Sequence, residues 1–218
     1  MNTTAHILRH LKANSRPETL AVLARFGSQP AKPLGLNIPF LRQYAKTIGP
    51  DHQSALDLWE SGYHEARIMA SMIDRPQWVT RSQMNKWVAD MDTWDIVDQC
   101  CGNLFDKVPF ATEKALAWSH HPREYIKRCG FVIPTWRAVH IKDADDEEFR
   151  AWFPIIDREA DDDRLYVRKA VNWCLRQIGK RNATLRKEAI ACARKILKTH
   201  DTKSSRWIAN DALRELEK

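Results

Sequence analysis

Apolar positions recur along this chain at helical spacing from one end to the other, and no stretch alternates apolar and polar residues as a strand would. Residues 5–14 and 17–26 each carry a helical stripe, broken at Ser15-Arg16-Pro17 and closed at Gly27. Residues 27–39, with three prolines and two glycines, are the longest irregular stretch. Asn37-Ile38-Pro39 then opens a helix to Ile48, with proline in the first turn, where its missing N–H costs nothing. After Gly49-Pro50 the pattern becomes short helices in pairs: 54–60 with 63–73, 82–90 with 94–105, 112–119 with 123–140, 146–157 with 164–180, and 184–198 with 204–216. Pro134 lies inside the 123–140 stripe and is expected to kink or interrupt it.

The second helices of these pairs carry an internal repeat. Tyr63-His-Glu-Ala-Arg67, Tyr125-Ile-Lys-Arg128 and Tyr166-Val-Arg-Lys169 each place a cation within a turn of an aromatic ring. Setting Arg67, Asp98, Arg128, Lys169 and Asn210 in one column gives spacings of 31, 30, 41 and 41 residues. Such periods, one helix pair each, match HEAT or armadillo-like arrays. The expectation is an all-α chain forming a single HEAT-like repeat domain over residues 1–218, a curved right-handed array of about six antiparallel helix pairs. Arg67, Arg128 and Lys169 are then expected to face one groove, with Asp98 the lone acid in a column of cations.

Composition narrows the classes of function. Hydrophobic residues make up 44% and charged residues 29% of 218, which describes a soluble globular protein. Seven glycines, with no G-x-G-x-x-G and no phosphate-loop pattern, argue against a dinucleotide or nucleotide fold. A net charge of +7 suits a polyanionic partner, and nine tryptophans among so many cations fit nucleic acid. The five cysteines (Cys100, Cys101, Cys129, Cys174, Cys192) lack C-x-x-C spacing and read as small core residues in a reducing compartment. His120-His121 before Pro122 has no second pair of ligands, so no metal and no cofactor are expected. No run is apolar enough for a signal peptide or a membrane span, which points to a cytoplasmic protein. The acidic runs Lys142–Glu148 and Asp161–Asp163 read as solvated helix caps.

Thr93-Trp-Asp-Ile-Val-Asp98 is the stretch with the most chemistry in it. Thr93 is a suitable N-cap, and Asp95 in the first turn favours the helix dipole. Trp94 and Asp98, four residues apart, share one face, while Ile96, Val97, Cys100, Cys101 and Leu104 supply the inward side. In this window alone a core indole and a solvated carboxylate is the ordinary reading. The column of cations around Asp98 weighs against it.

Three stretches together resemble a known family: Thr93–Asp98, Tyr125-Ile-Lys-Arg128, and Val167-Arg-Lys-Ala-Val-Asn-Trp-Cys-Leu-Arg-Gln-Ile-Gly-Lys-Arg181. They are similar to the AlkD-like DNA alkylation repair family, HEAT-repeat alkylpurine DNA glycosylases. Leu34-Gly-Leu-Asn-Ile-Pro-Phe-Leu-Arg42 also resembles that family's L-G-x-x-x-P-x-x-R start, and the likeness runs from about residue 34 to residue 181. It implies Asp98 as catalytic carboxylate, Trp94 and Trp173 as the groove tryptophans, and Arg128 as the cleft arginine. Arg67, Lys169, Arg168, Asn37 and Phe26 join Arg128 as expected DNA-binding positions. Phe26 stands where some members carry a tyrosine, the loop before Leu34 is short and proline-rich, and Asn172 replaces a common glycine.

The implied activity is monofunctional base excision. The enzyme would hydrolyse the N-glycosidic bond of cationic purines such as N3-methyladenine and N7-methylguanine in double-stranded DNA, as a nucleoid-associated monomer. A cationic base leaves readily, so what remains is to stabilise an oxocarbenium-like sugar and hold water, which a carboxylate can do. Indoles can support that positive charge through their π faces, and cations can hold the flanking phosphates. Two other classes compete with this reading. One is a catalytically weak or inactive HEAT-repeat protein that binds damaged or branched DNA; the other is a scaffold for a protein partner, whose groove would be acidic or apolar. Retention of Asp98 with both tryptophans favours the enzyme.

Overall fold

The computed structural model describes residues 4–218, and among these every regular element is a helix. The first seven α-helices are α1 (Thr4–Ala13), α2 (Leu20–Arg25), α3 (Ile38–Ile48), α4 (His52–Glu60), α5 (His64–Ile73), α6 (Arg81–Asp90) and α7 (Trp94–Asn103). The remainder are α8 (Ala111–Trp118), α9 (Glu124–His140), α10 (Asp146–Arg150), α11 (Trp152–Arg158), α12 (Leu165–Gly179), α13 (Ala183–Thr199) and α14 (Lys203–Leu216). None is long and apolar enough to cross a membrane. The sequence reading takes residues 1–218 as one repeat domain; the contacts group the helices into two compact units that divide between Pro109 and Phe110. Both units are built from the same element, a pair of packed helices.

In the first unit α5 is the central helix, packed against α3, α4 and α7. Eight of its ten residues are buried, including Ile68, Met69 and Ile73. Beside it, Trp59 of α4 and Trp87 of α6 stack in parallel with centroids 4.2 Å apart, and Phe105 leans on Trp87 at 6.1 Å. The Trp59 indole N–H donates to the Asp90 carboxylate at 3.0 Å, so the buried ring leaves no polar atom unpaired. The irregular stretch before α3 is held by side chains. The buried Glu65 carboxylate accepts the backbone N–H groups of Leu34, Gly35 and Leu36 at 2.7, 2.6 and 3.2 Å. Gly35 has φ +76°, and a Cβ there would lie 2.1 Å from the Arg16 carbonyl oxygen, so only glycine fits.

In the second unit α9 and α12 pack side by side, α8 covers α9, and α13 and α14 cover α12. Gly130 on α9 lets α8 approach closely, since a Cβ there would lie 2.7 Å from the Ser119 backbone nitrogen. Pro134 does not interrupt α9, which runs unbroken for 17 residues. Eleven of those residues are buried, and that packing outweighs the roughly 3 kcal/mol that an internal proline costs. The expected helix over 146–157 is broken instead, at Ala151. Pro154 supplies the reason: it offers no N–H to the Arg150 carbonyl and its ring crowds that turn.

The acidic runs are also more committed than the sequence suggests. Asp145 does cap α10, accepting from Glu147 N–H at 2.9 Å. Asp162, however, pairs with the buried Lys127 at 2.7 Å and with Arg164 at 2.5 Å. Burial works against its charge, but these cations prevail and hold its pKa down at about 2. Asp161 pairs with His200 at 2.6 Å, and Glu148 with Arg137 at 2.5 Å. All five cysteines are buried and unbridged, and burial pushes the Cys192 thiol up to about 12.

Candidate functional site

The start of α7 is the most constrained part of the first unit. Thr93 occupies the N-cap position with extended backbone, but its side chain makes no capping hydrogen bond, contrary to expectation. Asp95 anchors the turn instead. Its carboxylate accepts from the Ser28 hydroxyl at 2.7 Å and contacts His64 Nε2 at 2.8 Å. Burial opposes ionisation of both partners. For Asp95, the His64 hydrogen bond and charge, with help from Ser28, win and lower its pKa to about 2. For His64, burial is likewise outweighed by the Asp95 carboxylate, and its pKa is raised. The two form an ion pair when His64 is protonated, and the His64 backbone N–H also donates to the Lys32 carbonyl at 3.0 Å.

This clamp fixes the chain around Trp94. The Trp94 indole N–H donates to the Phe26 carbonyl at 3.0 Å, so the half-buried ring is held by its edge. Phe26 itself is 69% exposed, the most open large apolar residue among the described residues. Asp98 is half-buried one turn beyond Trp94 on the same helix, above the buried Ile96, Val97, Cys100 and Cys101. Trp94 and Asp98 are thus carried by one anchored helix, and Phe26, at the end of α2, is tied to it through its carbonyl. Asn37 is exposed and serves as the N-cap of α3, accepting from Phe40 N–H at 2.9 Å. Arg67 is turned to structural work. Its Nε and Nη1 donate to the carbonyls of Trp59 and Asp90, both at 3.2 Å, and its guanidinium lies 5.3 Å over the Trp59 ring.

Sequence reasoning missed a basic hollow of about 330 Å³ in the same unit. Arg42, Lys46 and Arg75 line it with Asn103 of α7, and no carboxylate does. Among the described residues none of these three cations takes part in an ion pair, and Arg42 reaches Gln99, the neighbour of Asp98, at 3.3 Å. Arg42 was legible as part of the L-G-x-x-x-P-x-x-R string. Lys46 and Arg75 come from separate helices, and no local spacing links them.

In the second unit Arg128, Lys169 and Trp173 line one hollow of about 310 Å³. This is where α9 and α12 place two members of the repeat column side by side. Arg128 is 4% exposed and donates from Nη1 to the Tyr166 carbonyl at 2.6 Å. Lys169 is exposed, and Trp173 is half-buried with its ring edge-on to Trp136 at 5.4 Å. Arg168 stacks over Trp207 at 5.1 Å. Asn172, the departure from glycine, is buried and donates its amide N–H to the Ile208 carbonyl at 3.0 Å, so it joins α12 to α14. Among the described residues no group of three or more His, Cys, Asp or Glu side chains could hold a metal ion.

Comparison with known proteins gives this arrangement a context. No curated protein matches the chain. A solved structure described as belonging to a new family of proteins related to the HEAT-like repeat DNA glycosylases, with affinity for branched DNA structures, superposes with a TM-score of 0.79. That match covers 98% of this chain and 96% of the other at 15% identity, and it shows the HEAT-like repeat fold. The family described as DNA alkylation repair enzyme matches residues 7–216, nearly the whole chain. The chain is a member of the DNA alkylation repair enzyme family.

Proposed function

We propose that this protein is a monofunctional DNA glycosylase that hydrolyses the N-glycosidic bond of cationic alkylpurines in duplex DNA. The observation that carries the reading is the α7 segment. Asp98 and Trp94 share a face of a helix whose start is clamped by the Asp95–His64 pair, and the indole is pinned by its N–H. A carboxylate held in this way can stabilise a sugar cation and position water without reorganising during the reaction. N3-methyladenine and N7-methylguanine carry their own positive charge, so no general acid is required for the leaving base. Trp94 and Trp173 are assigned to packing on deoxyribose. Arg128, Lys169 and Arg168 are assigned to phosphates, as are the cations of the basic hollow. Neither a cofactor nor a metal enters this scheme, and the protein would act as a monomer on the nucleoid.

Asp98→Asn tests it. The change keeps shape and removes the charge, so release of N7-methylguanine or N3-methyladenine from methylated duplex should fall by about a hundredfold or more. Duplex binding should hold or tighten, because a negative charge near phosphates is lost. Equal base release by variant and wild type, or efficient excision of neutral uracil by the wild type, would reject the mechanism.

A second reading is favoured by the affinity for branched DNA of the protein whose structure is similar. On that reading the chain binds branched DNA and releases no base. A wild-type protein that binds a four-way junction more tightly than linear duplex, and liberates no methylated purine, would establish it over the enzyme.

A further inference from the structure

Trp207 on α14 has no part in the proposed chemistry, and it stands between two hollows of the second unit. One is the 310 Å³ hollow already described; the other, of about 330 Å³, is lined by Arg206, Asn210 and Arg214. The Trp207 side chain is 38% exposed, although α14 has ample buried positions for apolar residues at Ile208, Ala209 and Ala212. Arg168 lies over its ring at 5.1 Å, so an indole and a guanidinium form one layered surface. The Arg168 Nε is buried and has no hydrogen-bond partner. Lys169 beside it is exposed and takes part in no ion pair among the described residues. The one acid that lines both hollows, Asp211, is already neutralised by Arg176 at 3.6 Å and by Arg214. Arg206 is paired with Asp201.

We infer that Trp207, beside the phosphate-binding Arg168 and Lys169, extends the DNA interface into a subsite that stacks an unpaired nucleobase from a single-stranded DNA segment and holds its flanking phosphates. The inference rests on the reading that this protein binds DNA. An aromatic face bordered by unneutralised cations is the chemistry of single-strand recognition, because every base offers a π face and every linkage a charge. Intact duplex cannot use the ring, since its bases present only their edges. A protein partner would call for more apolar surface than two indoles among six basic side chains. A site of this kind would let the protein distinguish a fork, flap or junction from continuous duplex.

Fluorescence anisotropy with three fluorescein-labelled duplexes tests this: one blunt, one with a five-nucleotide thymidine tail, and one with a tail of abasic linkers. Wild type should bind the thymidine-tailed duplex about tenfold or more tightly than the other two. Trp207→Ala should bring that ratio close to one, and Trp207→Phe should restore most of it. Circular dichroism melts of the variants, whose altered side chain is part-exposed, check folding. A wild type that does not prefer the thymidine tail to the abasic tail would overturn the site. So would a Trp207→Ala variant that keeps the wild-type ratio. Because the readout is a ratio of affinities, it is independent of whether any base is released, and a failure of the glycosylase reading leaves it standing.

Discussion

At the scale of single residues, the most informative group is His64, a buried histidine that no motif marks as functional. Its Nε2 meets Asp95 at 2.8 Å, while its Nδ1 is buried with no hydrogen-bond partner. An unpaired buried ring nitrogen is costly unless the ion pair beside it repays the cost. The dependence on pH follows from the two shifts. The raised pKa of His64 means its contribution is complete below the unfolded value of about 6.5 and fades as pH rises through the higher folded value. The Asp95 pKa, lowered to about 2 from 3.8, gives a contribution present above 3.8 and lost as pH falls through about 2. The clamp should therefore be at full strength between about pH 4 and 6.5. The melting temperature of His64→Gln is expected to fall furthest below wild type in that window, with the gap narrowing as pH rises above it. A gap of constant size across the range would show that the pair does not titrate as the geometry requires.

At the scale of elements, helix existence was written in the periodicity, because each helix must bury one stripe and the stripes are plain. What periodicity could not supply was the fate of each proline and glycine. Pro134 sits within a continuous helix and Pro154 splits another, although both look like helix breakers in a string of residues. The difference is burial, which depends on partners far away in sequence. Gly130 makes the same point. It reads as an ordinary weak helix residue, yet its missing Cβ is what allows α8 to approach, with Ser119 N 2.7 Å and Trp118 C 2.9 Å from where that atom would be. Gly130→Ala must push backbone aside and should lower unfolding free energy by about 1–3 kcal/mol, despite alanine's better helix propensity. Urea denaturation measures this, and an alanine variant at least as stable as wild type would contradict the close approach.

At the scale of the whole molecule, the +7 charge is a general attraction to polyanions, and the structure divides its cations into those spent and those available. Arg67, Lys127 and Arg137 are committed to carbonyls or carboxylates inside the protein. Arg42, Lys46, Arg75 and Lys169 are exposed and in no ion pair among the described residues. Binding to duplex should therefore weaken steeply with salt, and Lys169→Ala should reduce the slope of log affinity against log salt by about one. Stability should not change, since this side chain is exposed. An unaltered slope, measured by anisotropy across a salt series, would remove Lys169 from the interface.

The sequence by itself determined the all-α class, most of the helix bounds and the membership that Thr93–Asp98, Arg128 and the 167–181 string announce, because each depends on residues close together in the chain. It also placed Trp94 and Asp98 on one face, since four residues make one helical turn. Only the tertiary structure decided that Asp95 pairs with His64, that Glu65 holds Leu34–Leu36, that Arg67 is turned inward and that Arg128 and Lys169 line one hollow. The physical reason is range. A helical stripe is fixed by spacings of three and four residues, whereas the partner of a buried group is chosen by which segments pack together, and here the residues brought together lie 8 to 41 positions apart.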